Sequence, residues 1–288
     1  MTKLAIYWAI GHSFRLLRDC SVMERTMINY HTVGCCCHPE TVVLKGGSLK
    51  SITFPALVAY LPEQQLLFDT GYAEHFFTAT RRFPEWLYPR VTPVTFDQAP
   101  IVEQLTGQTV RTLFISHMHG DHIAGLKDFP EAQFVCSRAA YDFTVGSTCR
   151  INKLRHGVLP ALLPDDFRER VTFIEDLPVV NLTDDIQPFD RAYEVAPNVF
   201  AIDLPGHAIG HYGLYLPDDK VFLIADAVWQ FRTIADNRRP AQVTRLLMHD
   251  WQAYHRSIDK LQALHRHNPN LLILPSHCQA SIDYAKKN

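Results

Sequence analysis

Four short apolar runs in this sequence each end on a residue that can ligate a metal, and this limits the folds open to it. Asp69 follows Leu66-Leu67-Phe68, and His117 follows Leu113-Phe114-Ile115-Ser116. Asp226 follows Phe222-Leu223-Ile224-Ala225, and His277 follows Leu272-Ile273-Leu274-Pro275-Ser276. Short runs that are β-branched or aromatic and bounded by Pro, Gly, Asp or Asn have the character of buried strands. Segments 56–61, 65–68, 111–115, 133–135, 199–202, 212–216, 221–224 and 271–274 all fit that pattern. Helical spacing runs over 99–105, after the capping candidate Asp97, and over 251–264, where Trp251, Tyr254, Ile258, Leu261 and Leu264 form one apolar stripe. A short helix is expected within 160–170, starting near Asp165. Strands interleaved with helices predict a layered α/β protein with sheets inside and helices outside. Strand ends in such folds converge on one rim, where loops carry chemistry on a rigid base.

Composition removes several function classes. With 28 Lys+Arg against 30 Asp+Glu the formal charge is -2, so no concentrated positive field for nucleic acid is expected. No apolar run reaches the ~20 residues that span a bilayer. Leu4 to Ile10 is apolar but leads into Gly11, His12, Arg15 and Arg18 without a small-residue cleavage site, so an N-terminal strand is expected rather than a signal peptide. Seven cysteines, among them Cys20 and the run Cys35-Cys36-Cys37-His38, lack framework spacing, which points to a reduced, cytoplasmic chain with incidental thiols there. No repeat or linker divides the sequence, so one domain over 1–288 is expected, with 72–96 and 150–170 as loops or insertions near the site.

The placement of the histidines carries the functional signal. Ser116-His117-Met118-His119-Gly120-Asp121-His122 packs three imidazoles and a carboxylate into six residues, a set too polar to bury without partners. A divalent cation supplies the partner. Alternate side chains face the same way in extended backbone, so His117 and His119 can reach one metal while Asp121 and His122 reach another. In Pro205-Gly206-His207-Ala208-Ile209-Gly210-His211, the glycines permit the tight turn that aims His207 inward, with His211 as a supporting hydrogen-bonding group. Asp226 and His277 complete five His and two Asp, enough for two cations sharing a carboxylate and a water.

As a series, Leu67-Phe68-Asp69-Thr70-Gly71, His-x-His-x-Asp-His, Pro-Gly-His, Ile-Ala-Asp and the closing His resemble the dinuclear hydrolases of the metallo-β-lactamase fold superfamily over about 3–277. The resemblance implies an αββα four-layer sandwich with His117, His119 and His207 on one metal and Asp121, His122 and His277 on the other. It further implies Asp226 bridging, Asp69 supporting from behind, and two divalent ions, Zn2+ or alternatively Fe or Mn. Asp121 and Asp226 are the carboxylates expected to take part in catalysis. Two cations roughly 3.5–4 Å apart lower the pKa of a shared water to near 7 and polarise a carbonyl or phosphoryl oxygen.

Within the superfamily the chain looks most like the N-acyl homoserine lactonases, which implies a lactone or ester substrate with an apolar or acyl part. Those enzymes usually carry a Tyr three residues after the bridging Asp, where this chain has Trp229. Thioester, phosphodiester and aryl-ester hydrolysis, and a metal-binding sensor without turnover, stand as alternatives. The stretch 72–96 is aromatic and stiffened by Pro84, Pro89 and Pro93. It either lines a substrate pocket, with Phe76, Phe77 and Trp86 joined by Trp229 and Tyr212, or folds down as satellite core. Segment 158–167 could cap the site, and 23–30 could make a homodimer contact. Only 11 residues follow His277, too few for the helical domain of glyoxalase II. His249, His255, His265 and His267 are expected on a solvated helix face.

Overall fold

The computed structural model describes residues 28–96 and 98–287. All eight apolar segments form strands in it, and five less obvious strands complete two sheets. In chain order the strands are β1 (Asn29–Pro39), β2 (Ser51–Leu61), β3 (Leu66–Phe68), β4 (Val94–Thr95), β5 (Thr112–Phe114), β6 (Gln133–Cys136) and β7 (Val171–Phe173). There follow β8 (Val179–Asn181), β9 (Arg191–Ala196), β10 (Val199–Asp203), β11 (Tyr212–Leu216), β12 (Val221–Ala225) and β13 (Leu272–Pro275).

The first sheet has the order β4-β1-β2-β3-β5-β6-β7 and the second β13-β12-β11-β10-β9-β8. In the first, β1 to β4 pair antiparallel, and β3, β5, β6 and β7 run parallel. The second is antiparallel except for β12 with β13.

Burial on both faces explains why these strands lack alternation. In β2, Leu57, Ala59 and Leu61 meet Ala201, Leu214, Leu223 and Leu274 of the second sheet, while Val58 and Tyr60 face the other way with Ile101, Leu105 and Ile123. The outer face of the second sheet is covered by helix Trp251–His267, whose Tyr254, Ile258, Leu261 and Leu264 pack on Ile202, Phe222, Ile224 and Ile273. Each such fully buried Leu or Ile contributes roughly 1.5–3 kcal/mol. Asp250 caps this helix, accepting from Gln252 N and Ala253 N at 2.9 Å. Layers therefore run helix, sheet, sheet, helix, which is the expected αββα sandwich.

Some local readings differ. The helix expected over 99–105 is limited to Ile101–Gln104 behind Pro100, and its proposed cap Asp97 lies outside the described residues, as do Cys20, 4–10 and 23–27 of the suggested dimer contact. The Cys-rich run lies within β1, with Cys36 buried beside Val43, Leu44 and Phe54. Among the described residues no cysteine is in a disulfide. In 160–170 the chain makes a 3-10 turn, Pro160–Leu162, then helix Phe167–Arg170. No helix among the described residues is long and apolar enough to cross a membrane.

The two sheets are tied together where their strands end. Tyr212 N donates to Ser116 O at 2.9 Å and Leu57 N to Ser276 O at 3.3 Å, while within the second sheet Ser276 N donates to Ala225 O at 3.0 Å. Asp69 (φ 57) and Ala225 (φ 44) leave β3 and β12 in the left-handed region, which turns the chain sharply at that rim. For Ala225 that conformation is strained, the kind of cost that persists when surrounding structure holds it in place.

Candidate metal centre

Every residue expected at the metals arrives at this rim. His117 follows β5, His207 follows β10, Asp226 directly follows β12, and His277 follows β13. Three overlapping groups of potential ligand atoms, each within 4.8 Å of one another, are His117, His119 and His207; Asp121, His122 and His277; and His117, His122 and Asp226. Asp226 stands between the first two. Its Oδ2 is 3.2 Å from His207 Nε2 and 3.1 Å from His277 Nε2, and its Oδ1 is 3.3 Å from His122 Nε2.

Hydrogen bonds from behind fix which nitrogen each imidazole presents. His122 Nδ1 donates to Asp69 Oδ2 at 2.7 Å, and His277 Nδ1 donates to the Pro55 carbonyl at 2.7 Å. Ser116 Oγ donates to Asp69 Oδ2 at 2.8 Å and accepts from His117 Nδ1 at 3.0 Å. Asp69 Oδ1 also accepts the Ser116 N–H at 2.8 Å. In each case Nδ1 is held from behind and Nε2 faces the centre, where it would serve as the lone-pair donor to an ion, the arrangement seen behind metal-binding histidines. His119 is hydrogen-bonded to the His156 backbone. His211 Nε2 accepts the Asp226 N–H at 3.1 Å, holding the backbone of the central carboxylate.

Metal ions fit this donor set on the structure's own terms. His117 Nε2, His122 Nε2 and Asp226 Oδ1 are buried and make no hydrogen bond, the last two facing each other at 3.3 Å. Leaving such atoms unpaired costs about 1–3 kcal/mol each, so a grouping of them at one point asks for a cation. Imidazole and carboxylate suit zinc, iron or manganese equally.

Electrostatics divides the site in two. Burial pushes His117 and His207 well below the ordinary imidazole range and His119 to about 4. On the other side burial is overcome by carboxylates. Asp226 and Asp121 lift His277 to about 10, and Asp121, Asp69 and Asp226 raise His122. Burial likewise opposes ionisation of Asp121 and Asp226, but His122 and His277 hold Asp121 down at about 2, and His277, His122 and His207 hold Asp226 well down. Without metal the first group is thus neutral and the second is a set of ion pairs.

The remaining sequence candidates are placed variously. Phe76 is fully enclosed, in edge contact with Tyr72, Phe77 and Tyr88, and its ring lies 3.0 Å from where a Cβ on Gly120 would stand. It supports the His-x-His-x-Asp-His loop from beneath. Phe77 is 37% exposed, and Trp86 lies under the Arg90 guanidinium. Tyr212 is buried, with its hydroxyl donating to Glu175 Oε1 at 3.4 Å. Trp229 does reach the centre, donating Nε1–H to Asp226 Oδ2 at 2.9 Å. Val158 pairs with His119 as an isolated bridge, and a narrow, mostly apolar cleft opens there between Met118, Ala140, Phe143, His156, Val158, Ala208 and Ile209. Sequence reasoning passed over Ser116 and the Pro55 and His156 backbone groups; only Ser116, a hydroxyl directly before His117 at a strand end, left a readable trace.

Residues 56–268 match the family model described as the metallo-beta-lactamase superfamily. The chain belongs to that superfamily. Solved metallo-beta-lactamase folds similar to it include an N-acyl homoserine lactone hydrolase with N-hexanoyl-L-homoserine at its catalytic metal centre, at 19% identity and TM-score 0.62 over 89% of this chain and 95% of that one. A variant of AiiA from B. thuringiensis with N-decanoyl-L-homoserine bound gives 19% and 0.63 over 89% and 95%. A probable metal-dependent hydrolase from Staphylococcus aureus gives 15% and 0.59 over 89% and 91%. At such identities the likeness concerns the fold, that of the superfamily's hydrolases.

Proposed function

We propose that this chain is a dinuclear metallohydrolase that opens a lactone or ester, with N-acyl homoserine lactones as the leading substrate class. The observation that carries the reading is Asp226, whose carboxylate stands within 3.3 Å of imidazoles from both ligand groups. His117, His119 and His207 would hold one divalent ion, Asp121, His122 and His277 the other, with Asp226 shared. Such a pair, when bound, lowers the pKa of water towards neutrality and polarises the scissile carbonyl.

The protein's own groups do the rest. Asp69 and Ser116 lock the His122 and His117 tautomers, and Pro55 O locks that of His277. Asp121 is 9% exposed and keeps its charge, and its contacts with His122 and His277 use Oδ2. Held ionised in this way, Asp121 would serve as an anionic ligand and, with Asp226, accept a hydrogen bond from the attacking water. The N-acyl homoserine lactone neighbours support the lactone class.

Trp229 favours a second reading, hydrolysis of other esters, because its only polar group is already committed to Asp226. Metal analysis, followed by assays of the loaded protein on acyl homoserine lactones, aryl esters, thioesters and phosphodiesters, separates these readings. Lactone turnover well above the rest is expected. Absence of turnover on the whole panel refutes the hydrolase reading.

A further inference from the structure

We infer that Trp229 is a positioning residue of the metal centre, one that holds the shared carboxylate and thereby governs retention of the second ion. The inference rests on the reading that the His/Asp set binds two cations. Asp226 Oδ2 has three neighbours: His207 Nε2 at 3.2 Å, His277 Nε2 at 3.1 Å and the Trp229 indole N–H at 2.9 Å. The imidazoles belong to opposite ligand groups, so they draw the oxygen towards opposite sides. Trp229 is the neighbour that belongs to neither group.

The indole is itself firmly seated. Its ring stands edge-on to Phe54 at 6.4 Å and to His207 at 5.8 Å, and Phe54 in turn stands against His277 at 6.3 Å. Trp229 therefore packs between the two ligand groups through aromatic contacts while donating to the carboxylate they share. An indole N–H donates but never accepts, so it can fix Oδ2 without competing for a cation. His211, through the Asp226 backbone N–H, fixes the main chain, and Trp229 fixes the carboxylate plane. Groups of this kind behind a ligand typically contribute 10–100-fold in metal affinity.

The test compares wild type with Trp229→Phe, which keeps the aromatic wedge and removes the donor, and with Trp229→Tyr, which offers a hydroxyl. Zn2+ binding is titrated against a chromophoric chelator, and metal-free thermal stability is read alongside. In Trp229→Phe the second equivalent is expected to weaken about 10-fold or more, with the first equivalent and the metal-free melting temperature close to wild type. Trp229→Tyr is expected to recover part of the loss. Wild-type affinity for both equivalents in Trp229→Phe overturns the inference, as does an equal loss at both sites together with a lower metal-free melting temperature, the mark of a merely structural role. Wild-type protein that binds no second equivalent refutes the dinuclear reading itself, a result distinct from either.

Discussion

Replacing Asp69 by Asn tests the support behind the metal centre with little steric change. Asp69 is fully buried and accepts three hydrogen bonds, from Ser116 N at 2.8 Å, Ser116 Oγ at 2.8 Å and His122 Nδ1 at 2.7 Å. Its φ of 57 is tolerated by Asn as well as by Asp, so the backbone has no reason to move. The amide has one accepting oxygen and one NH2. Turned one way, the NH2 faces the fixed Ser116 N–H. Turned the other way, it faces Ser116 Oγ and His122 Nδ1–H. The second orientation is relieved only if His122 moves its proton to Nε2, the atom needed for the ion. Loss of such a supporting contact costs about 10–100-fold in metal affinity, or roughly 1.4–2.8 kcal/mol at 1.4 per tenfold. Competition titration with a chelator should show the second equivalent weakened by that factor and the first affected less, since Asp69 bonds to neither His119 nor His207. Unchanged affinity for both, or equal losses, would refute the argument that Asp69 selects the His122 tautomer.

Two further outcomes follow from the same geometry. The metal-free protein should be most stable near pH 6.5. His277, lifted to about 10, holds a proton that the unfolded chain gives up from about 6.5 upward, so stability falls as pH rises through that window. His119 at about 4 and His211 at about 3 stay neutral while the unfolded chain protonates, so stability also falls on acidification below about 6.5, and the Asp121 contribution is lost last, as pH drops towards about 2. Thermal melts in excess chelator across this range check it, and a stability that rises steadily to alkaline pH contradicts it. Gly157→Ala should loosen the first metal, because a Cβ there stands 2.7 Å from His119 Cδ2 at a φ of +66, adding roughly 1–2 kcal/mol of backbone strain. Metal content after dialysis is the readout, and unaltered content rejects the idea.

The ligands were legible because each follows a strand whose composition is unambiguous, and a polar residue at such an end has few structural reasons to be there. Less could be read where strands are polar or lie at sheet edges. β8, with Val179 exposed, and β9, whose residues are mostly half-buried, resemble loops because one face meets solvent. β1 was masked by its Cys and His content. The 72–96 stretch could not be resolved from sequence, since an aromatic turned inward, like Phe76, and one turned outward, like Phe83, have the same composition. Supporting groups were mostly invisible because they are backbone atoms from remote segments: Pro55 O meets His277 across 222 positions. Trp229 was visible as a departure from the related lactonases, but its bond to Asp226 depends on tertiary placement.

The origin of the ligands has a mechanical consequence. Each group draws two side chains from the His117 to His122 loop, beyond the first sheet, and its third from a strand end of the second sheet. An ion bound in either group is therefore a rivet through both leaves of the sandwich. The leaves cannot part without releasing the ions, and the ions cannot leave without loosening the join between the leaves. Metal supply would then set the lifetime of the folded chain as well as its chemistry, with a starved protein turning over faster in a proteolytic environment than a loaded one.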